Sequence, residues 1–469
     1  MPLPQQLTAE NIEKQLQSLL PHLKTLSSDD DRQHYGKDWT NFYPPAPSVI
    51  VFPRSTDDVK KIVLWANEQE IALVPSGGRT GLSGGACATD HEIVVSFDAM
   101  NRIHSFDPIE QTCVCEAGVI TQTLQEFAQE KDFYYPVDFA SVGSSQIGGN
   151  LGTNAGGIKV IRYGMTRDWV LGLTVVTGKG DVLHINQGLI KNATGYDLKN
   201  LFIGSEGTLG FIVEATIKLA KPPRDLVVMV LGLSELVSIY PVLKTFRGGL
   251  DLTAFEFFSD KAMKHVLKDE NLSAPFDSPA SFYAVIEFDQ QNAQELETAI
   301  SLFESCVEND WVIDGVISQS QEQYQKLWAL RENISESIAP YKPYKNDIAV
   351  TISHVKAFLD EVDALVNQQY PEWEVIWFGH IGDGNLHLNI LKPENLSIED
   401  FTQRCGDVSQ QIFKVVQKYR GSISAEHGVG LLKKDYLSYS RSPEEIEYMR
   451  AIKKVFDPKG ILNPGKIFD

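Results

Sequence analysis

Two glycine-rich stretches in the first half of the chain limit its fold more than any other feature. Pro75-Ser76-Gly77-Gly78-Arg79-Thr80-Gly81-Leu82-Ser83-Gly84-Gly85 carries five glycines in eleven residues, and Val142 to Gly157 carries six more among amide and hydroxyl side chains. Without Cβ atoms, such loops let backbone N–H groups approach a phosphate closely. The first is no P-loop, because no Gly-Lys-Ser/Thr ends it, and there is no Gly-x-Gly-x-x-Gly after a first strand, so a standard Rossmann nicotinamide site is not expected. One such loop alone reads as an ordinary tight turn. Two inside the same domain favour a large anionic ligand of the dinucleotide type.

The surrounding pattern is α+β. Ser55 is a candidate N-cap for a helix with Asp58 three residues on and Val59, Ile62, Val63 and Ala66 as its apolar stripe. Short strands are expected at 72–74, 93–97 and 112–116, and a hairpin turning at Gly178-Lys179-Gly180-Asp181. From Val213 to Leu219 apolar and polar residues alternate, as in a half-buried strand. Lys221-Pro222-Pro223 marks a boundary. Beyond it, strands at 226–232, 252–258, 281–288 and 311–318 alternate with helices at 234–246, 260–268, 292–309 and 320–339, which predicts a small open sheet covered on one side. The expected division is an N-terminal helical segment (1–45), a glycine-loop domain (46–223), an α/β cap domain (224–347) and a helical C-terminal part (348–469).

A chain of 469 residues exceeds one ordinary core, so several domains are required. Its net charge of −20 argues against general nucleic-acid binding and against docking on an anionic membrane. No apolar run approaches a membrane span. The five cysteines are too few and scattered for a disulfide framework. They read as buried thiols, and the expected compartment is the cytoplasm.

The C-terminal third carries the chemistry. Trp377-Phe378-Gly379-His380-Ile381-Gly382-Asp383-Gly384-Asn385-Leu386-His387 and Ser424-Ala425-Glu426-His427-Gly428-Val429-Gly430 gather three of the ten histidines and a carboxylate into two glycine-framed turns. Two imidazoles and a carboxylate suit a catalytic divalent metal with positions left open for substrate. The glycines around Asp383 disfavour a helix, whereas a turn and strand would let both rings converge. Glu426 and His427 are adjacent, so one can bind metal while the other moves a proton. Any one of these histidines alone would read as incidental. Asp383 reads as turn chemistry.

Together the two loops, Arg162-Tyr163-Gly164, Asn192-Ala193-Thr194-Gly195-Tyr196-Asp197-Leu198, Gly204-Ser205-Glu206-Gly207-Thr208-Leu209-Gly210 and Ile461-Leu462-Asn463-Pro464-Gly465-Lys466 resemble the FAD-linked oxidases of the vanillyl-alcohol oxidase and p-cresol methylhydroxylase type, from Ala46 to the C-terminus. The metal-like motifs are most similar to those of members acting on D-2-hydroxy acids. What the resemblance implies is FAD. It is expected to be noncovalent, since the first loop has no histidine for attachment. The first loop would meet it through Pro75, Ser76, Gly77, Gly78, Arg79, Thr80, Gly81 and Gly84. The second would use Val142, Gly143, Gly148, Gly149, Asn150, Thr153, Asn154 and Gly156. Tyr163, Glu206, Gly207, Ile212 and Asn463 complete the set. In the resembling family the positions of His380, His387 and Glu426 bind a divalent metal, usually zinc. Those of Arg331, Ser335 and Lys345 contact the substrate carboxylate, with Ser335 standing where threonine is usual. Asn389 is expected to support the same site.

The resulting expectation is oxidation of D-2-hydroxyglutarate to 2-oxoglutarate. The metal polarises the substrate hydroxyl, His427 takes its proton, and hydride passes from C2 to flavin N5. D-lactate or glycolate is the alternative substrate. A metal-dependent hydrolase and a non-catalytic flavin-binding subunit are the competing classes, disfavoured respectively by the glycine loops and by the intact metal cluster with His427. No iron–sulfur ligand run is visible, so the family-based electron acceptor is an electron-transfer flavoprotein. A homodimer is compatible with all of this.

Overall fold

The computed structural model describes residues 8–40 and 42–469; residues 1–7 and Asn41 of the expected N-terminal segment lie outside the described residues. The chain divides into two compact units. The first contains the segment ending at Gly156, then Met165–Pro222 and Glu426–Asp469, and the second contains Gly157–Gly164 and Pro223–Ala425.

The first unit holds two sheets. One joins β1 (Lys24–Leu26), β2 (Val49–Phe52), β3 (Leu73–Ser76) and β4 (Ile93–Ser96) in the order β1-β2-β4-β3, with β2, β4 and β3 parallel and β1 antiparallel. The other joins β5 (Ile103–Asp107), β6 (Thr112–Glu116), β7 (Val170–Thr177), β8 (Val182–Ile185) and β9 (Gly210–Lys218) as an antiparallel β5-β6-β9-β7-β8 sheet. The helix Thr56–Gln69 is capped as its sequence predicts, the Ser55 hydroxyl accepting from the Asp58 N–H at 3.1 Å. Its stripe of Val59, Ile62, Val63 and Ala66 is fully buried. Ile12 and Leu16 of the helix Ala9–Leu19 enter the same core, so this segment packs into the glycine-loop unit. The expected hairpin forms β7 and β8.

The last residues also fold back here. Leu73 of β3 donates its N–H to the Ile461 carbonyl at 2.7 Å and accepts from the Asn463 N–H at 2.8 Å. Lys466, 1% exposed, donates from Nζ to the Cys87 carbonyl at 2.7 Å.

The second unit is built on one antiparallel sheet of seven strands: β10 (Leu226–Leu233), β11 (Leu252–Ser259), β12 (Phe282–Asp289), β13 (Asp314–Ile317), β14 (Tyr344–Ala349), β15 (Val375–Gly379) and β16 (Asn385–Ile390). Their order is β13-β10-β12-β11-β15-β16-β14. The four strands expected from the alternating pattern are β10 to β13. The sheet is larger than expected because β15 hydrogen-bonds to the open side of β11, pairing Phe257 with Gly379 and Phe258 with Phe378. A free sheet edge carries unpaired N–H and C=O groups, and local periodicity cannot say which distant segment satisfies them. All eight residues of β11 are buried, so cover on both faces replaces the expected cover on one. The helices Asp260–Val266, Gln321–Glu332 and Ile334–Ile338 pack on the face bearing Ala254, Phe258 and Val285. The expected helix 320–339 is interrupted at Asn333.

Candidate active site

In the first unit the two glycine loops lie backbone to backbone. A Cβ at Gly78 would fall 2.1 Å from the Ser144 carbonyl oxygen, so only glycine permits this approach. Asp38 braces the first loop by accepting from the Gly84 N–H at 2.7 Å. Arg79, at φ 59°, lies over the Tyr35 ring and donates to the Gly77 carbonyl at 2.8 Å. Ser76 Oγ, Gln146 Oε1 and Asn463 Oδ1 are buried without a hydrogen-bond partner in the protein. Buried polar atoms of folded proteins nearly always have partners, so an orphaned set around two glycine loops fits a polar ligand there.

The other expected cofactor residues divide. Asn463 donates from Nδ2 to the carbonyls of Gly85 (2.9 Å) and Glu206 (2.7 Å), which ties the C-terminal segment to the loop. Gly207 sits against Pro75. Asn150 spends its amide on Thr121 Oγ1 at 2.7 Å, and the half-buried Thr153 donates its hydroxyl to the Gly149 carbonyl at 3.3 Å. Asn154 caps its helix in the left-handed region and accepts from the Arg167 N–H at 3.0 Å. Ile212 is buried in β9, and Tyr163 groups with the second unit.

Glu206 does more than line the loop. Its buried carboxylate accepts from the N–H groups of Val429 (2.7 Å) and Gly430 (2.8 Å), one on each oxygen. Desolvation raises its pKa to about 7 against the pull of those two N–H groups. The Leu431 and Leu432 N–H groups both donate to the Ser83 carbonyl at 3.0 Å. The turn carrying Glu426 and His427 is thereby fixed to the first loop. A Cβ at Gly156 would come within 3.0 Å of Glu426 Oε2, so the second loop also ends against this turn. His427 Nε2 lies 3.7 Å from Glu426 Oε1.

In the second unit the His380–His387 stretch is the expected turn and strand, running from β15 into β16. Gly384 makes the turn at φ 86°, where a Cβ would lie 2.0 Å from the Val350 carbonyl oxygen. Asp383 serves that turn, accepting from the Asn385 N–H at 3.1 Å. Both histidines are buried, with ring centroids 5.4 Å apart and planes at 83°. The cross-strand register sets Asp347 opposite His387 and Lys345 opposite Asn389. With side chains alternating along each strand, these four share one face.

The surroundings suit a metal ligand. His380 Nδ1 is 2.8 Å from Glu256 Oε1, which orients the ring and directs Nε2 the opposite way. His387 Nδ1 lies 3.9 Å from Asp347, too far for a hydrogen bond. Arg331 is also buried. Its guanidinium stands over the Phe378 ring at 4.8 Å and pairs with Glu256 Oε2 at 2.7 Å. Arg331 Nε and Asn389 Nδ2 remain buried without hydrogen-bond partners, two donors suited to an anion. Ser335 follows Arg331 across Asn333 and is half-buried. Lys345 reaches water, yet the protein around it desolvates the ammonium and lowers its pKa below the ordinary 10.5.

Sequence reasoning passed over Glu256, Asp347 and Glu287. Glu287 is fully buried and accepts from Tyr324 OH (2.5 Å), Trp328 Nε1 (2.9 Å) and Lys159 Nζ (2.5 Å). Glu256 is the one charged residue of the apolar strand β11, and Glu287 sits in the largely apolar β12, which also ends on the buried Asp289. A carboxylate there must be paired when buried, and that signal was available in the sequence.

The family follows. Residues 47–186 match the FAD binding domain model and residues 222–467 match the C-terminal domain model of the FAD linked oxidases. The chain belongs to the FAD-linked oxidases and is an FAD-dependent oxidoreductase. It is 60% identical to the D-2-hydroxyglutarate dehydrogenase of Stutzerimonas stutzeri (strain A1501), over 97% of this chain and 98% of that one. Against the protein of the same name from Xanthomonas citri pv. viticola identity is 50%, over 97% and 96%. The mitochondrial D-2-hydroxyglutarate dehydrogenase of Danio rerio is 37% identical over 96% of this chain and 83% of its own. The fold is also that of p-cresol methylhydroxylase with substrate bound, at TM-score 0.75 and 16% identity over 100% of this chain and 99% of that one. No helix among the described residues is long and apolar enough to cross a membrane.

Proposed function

We propose that this enzyme oxidises D-2-hydroxyglutarate to 2-oxoglutarate, using FAD and a divalent metal, zinc. The observation that carries the reading is the Arg331–Glu256–His380 arrangement, which joins a buried anion-binding group to a ligand-type imidazole through one carboxylate. The 60% identity to a bacterial D-2-hydroxyglutarate dehydrogenase along the whole chain supports the same substrate.

In this reading Arg331 and Lys345 receive substrate carboxylate, with the Ser335 hydroxyl and the Asn389 amide completing the contact. Arg331 gives a planar fork and Lys345 a point charge, so together they suit a dianion better than lactate. His427 is the general base that accepts the proton of the C2 hydroxyl. When bound, the flavin supplies the hydride acceptor, and a cation held by His380, His387 and Glu426 supplies Lewis acidity at the hydroxyl. Chain continuity supports that ligand set. Ser422 and Ala349 exchange backbone hydrogen bonds of 2.8 and 3.0 Å, and Ala349 pairs with Asn385 of β16. Glu426 follows Ser422 by four residues, a span of at most roughly 14 Å. We further assign an electron-transfer flavoprotein as electron acceptor, a homodimer as the assembly, and the cytoplasm as the compartment. The last fits five cysteines that are all unpaired and buried.

The test is an anaerobic absorbance titration of the purified flavoprotein with D-2-hydroxyglutarate, its L-enantiomer and D-lactate, before and after chelation. Bleaching by the D-diacid, lost with chelator and restored by zinc, is expected. Bleaching by D-lactate alone would move the substrate, and a spectrum unchanged by every hydroxy acid would remove the function.

A further inference from the structure

We infer that Glu256 is a positioning residue that sets the metal ligand His380 and the substrate-binding Arg331 together, one through each carboxylate oxygen. The inference rests on the function proposed above and deepens it. Glu256 lies in the middle of β11 and is 1% exposed. Oε1 is 2.8 Å from His380 Nδ1 and Oε2 is 2.7 Å from the Arg331 guanidinium. The stem of this carboxylate is fixed by a strand paired on both sides, and the Phe378 ring lies under the guanidinium, so the relay has little freedom to relax.

Two consequences follow from the chemistry. A carboxylate on Nδ1–H fixes the imidazole tautomer and makes Nε2 the better metal donor. The same negative charge neutralises a buried guanidinium, which would otherwise lack a counter-charge. Glutamine keeps the shape but replaces one oxygen with a donor NH2. That NH2 can satisfy neither the Nδ1–H nor the guanidinium, so Glu256→Gln must fail at one partner at least and loses the charge needed by both. A purely structural carboxylate would change stability without linking metal affinity to substrate choice.

The experiment compares wild type, Glu256→Gln, Glu256→Asp and Arg331→Lys as flavin-loaded proteins. Zinc affinity is measured by competition with a chromophoric chelator, and KM is measured for D-2-hydroxyglutarate and D-lactate. Glu256→Gln is expected to weaken zinc binding about 10- to 100-fold, as loss of a ligand's supporting carboxylate does. It is also expected to raise the KM for the diacid more than that for D-lactate. Arg331→Lys is expected to change only the KM ratio. A Glu256→Gln protein that keeps zinc affinity, or keeps the wild-type KM ratio, would overturn the coupling. If that variant fails to load flavin, Glu256→Asp decides. It keeps the charge on a side chain one methylene shorter, which cannot span both partners, so wild-type values for both properties would overturn the inference. Wild type is read first: a wild type that binds no zinc refutes the proposed function itself, whereas a failure confined to the Glu256 variants refutes only the coupling.

Discussion

At the scale of single residues, charge inside the protein does most of the selecting. An arginine on a helix is ordinarily solvated, and Arg331 departs from that rule. It is instead buried on an aromatic ring with its counter-charge on a strand. Lys345 is the complementary case, a cation open to water but partly desolvated by what surrounds it. Replacing Lys345 with alanine is expected to raise the KM for D-2-hydroxyglutarate about ten-fold or more, the usual cost of a lost charged hydrogen bond, and to affect D-lactate less. The sign with pH is fixed by the direction of the shift. A lysine with depressed pKa is cationic below that value and neutral above it, so the diacid's KM should climb at a pH below the ordinary 10.5. Steady-state KM against pH checks this: the alkaline limb should vanish in Lys345→Ala. Equal losses for diacid and lactate would remove Lys345 from carboxylate recognition.

At the scale of elements, the turn Gly428–Gly430 shows how a buried carboxylate can hold the segment that carries Glu426 and His427. Glu206 takes the N–H groups of Val429 and Gly430, in a pocket that raises its pKa from 4.5 to about 7. Its folded pKa lies above the unfolded one, so the folded state binds the extra proton between these values. The contribution of Glu206 to stability is therefore fully present below 4.5 and is lost as pH rises through about 7. Thermal unfolding at pH 5 and pH 8 should show wild type losing on the order of 1–3 kcal/mol more than Glu206→Gln across that interval. Parallel losses in the two proteins would mean that Glu206 does not titrate there. Elements were the level at which the sequence was most legible. The Ser55 cap, the β7–β8 turn and β10 to β13 all follow from patterns within a dozen residues, where periodicity and capping act. The break at Asn333 did not, because helical propensity continues across it.

At the scale of the whole molecule, the chain passes between its two units repeatedly, at Gly156, Gly164, Pro222 and Ala425. The glycine-loop unit therefore needs its last segment. Leu73 in β3 exchanges two backbone hydrogen bonds with the C-terminal segment, Asn463 bonds to Gly85 and Glu206, and Lys466 to Cys87. A chain truncated after Ala425 leaves those groups unpaired and exposes the apolar surface that Ile461 and Leu462 cover. It is expected to purify without flavin absorbance near 450 nm, whereas a full-length chain nicked at an exposed loop should stay yellow. A yellow truncated protein would show that the loops hold FAD without the tail.

The sequence by itself determined the family and the motifs of the candidate site: glycine where backbones must approach, histidines spaced across a turn, and a carboxylate beside a candidate base. These are properties of short segments, readable because each motif is continuous in the chain. Only the tertiary structure decided that β15 extends the sheet of β11, that Gly157–Gly164 groups with the second unit, and that Glu256 stands between His380 and Arg331. The physical reason is common to all three. A sheet edge, a buried charge and an orphaned donor each demand a partner, but the partner is chosen by packing between segments far apart in the chain, and local pattern carries no record of that choice.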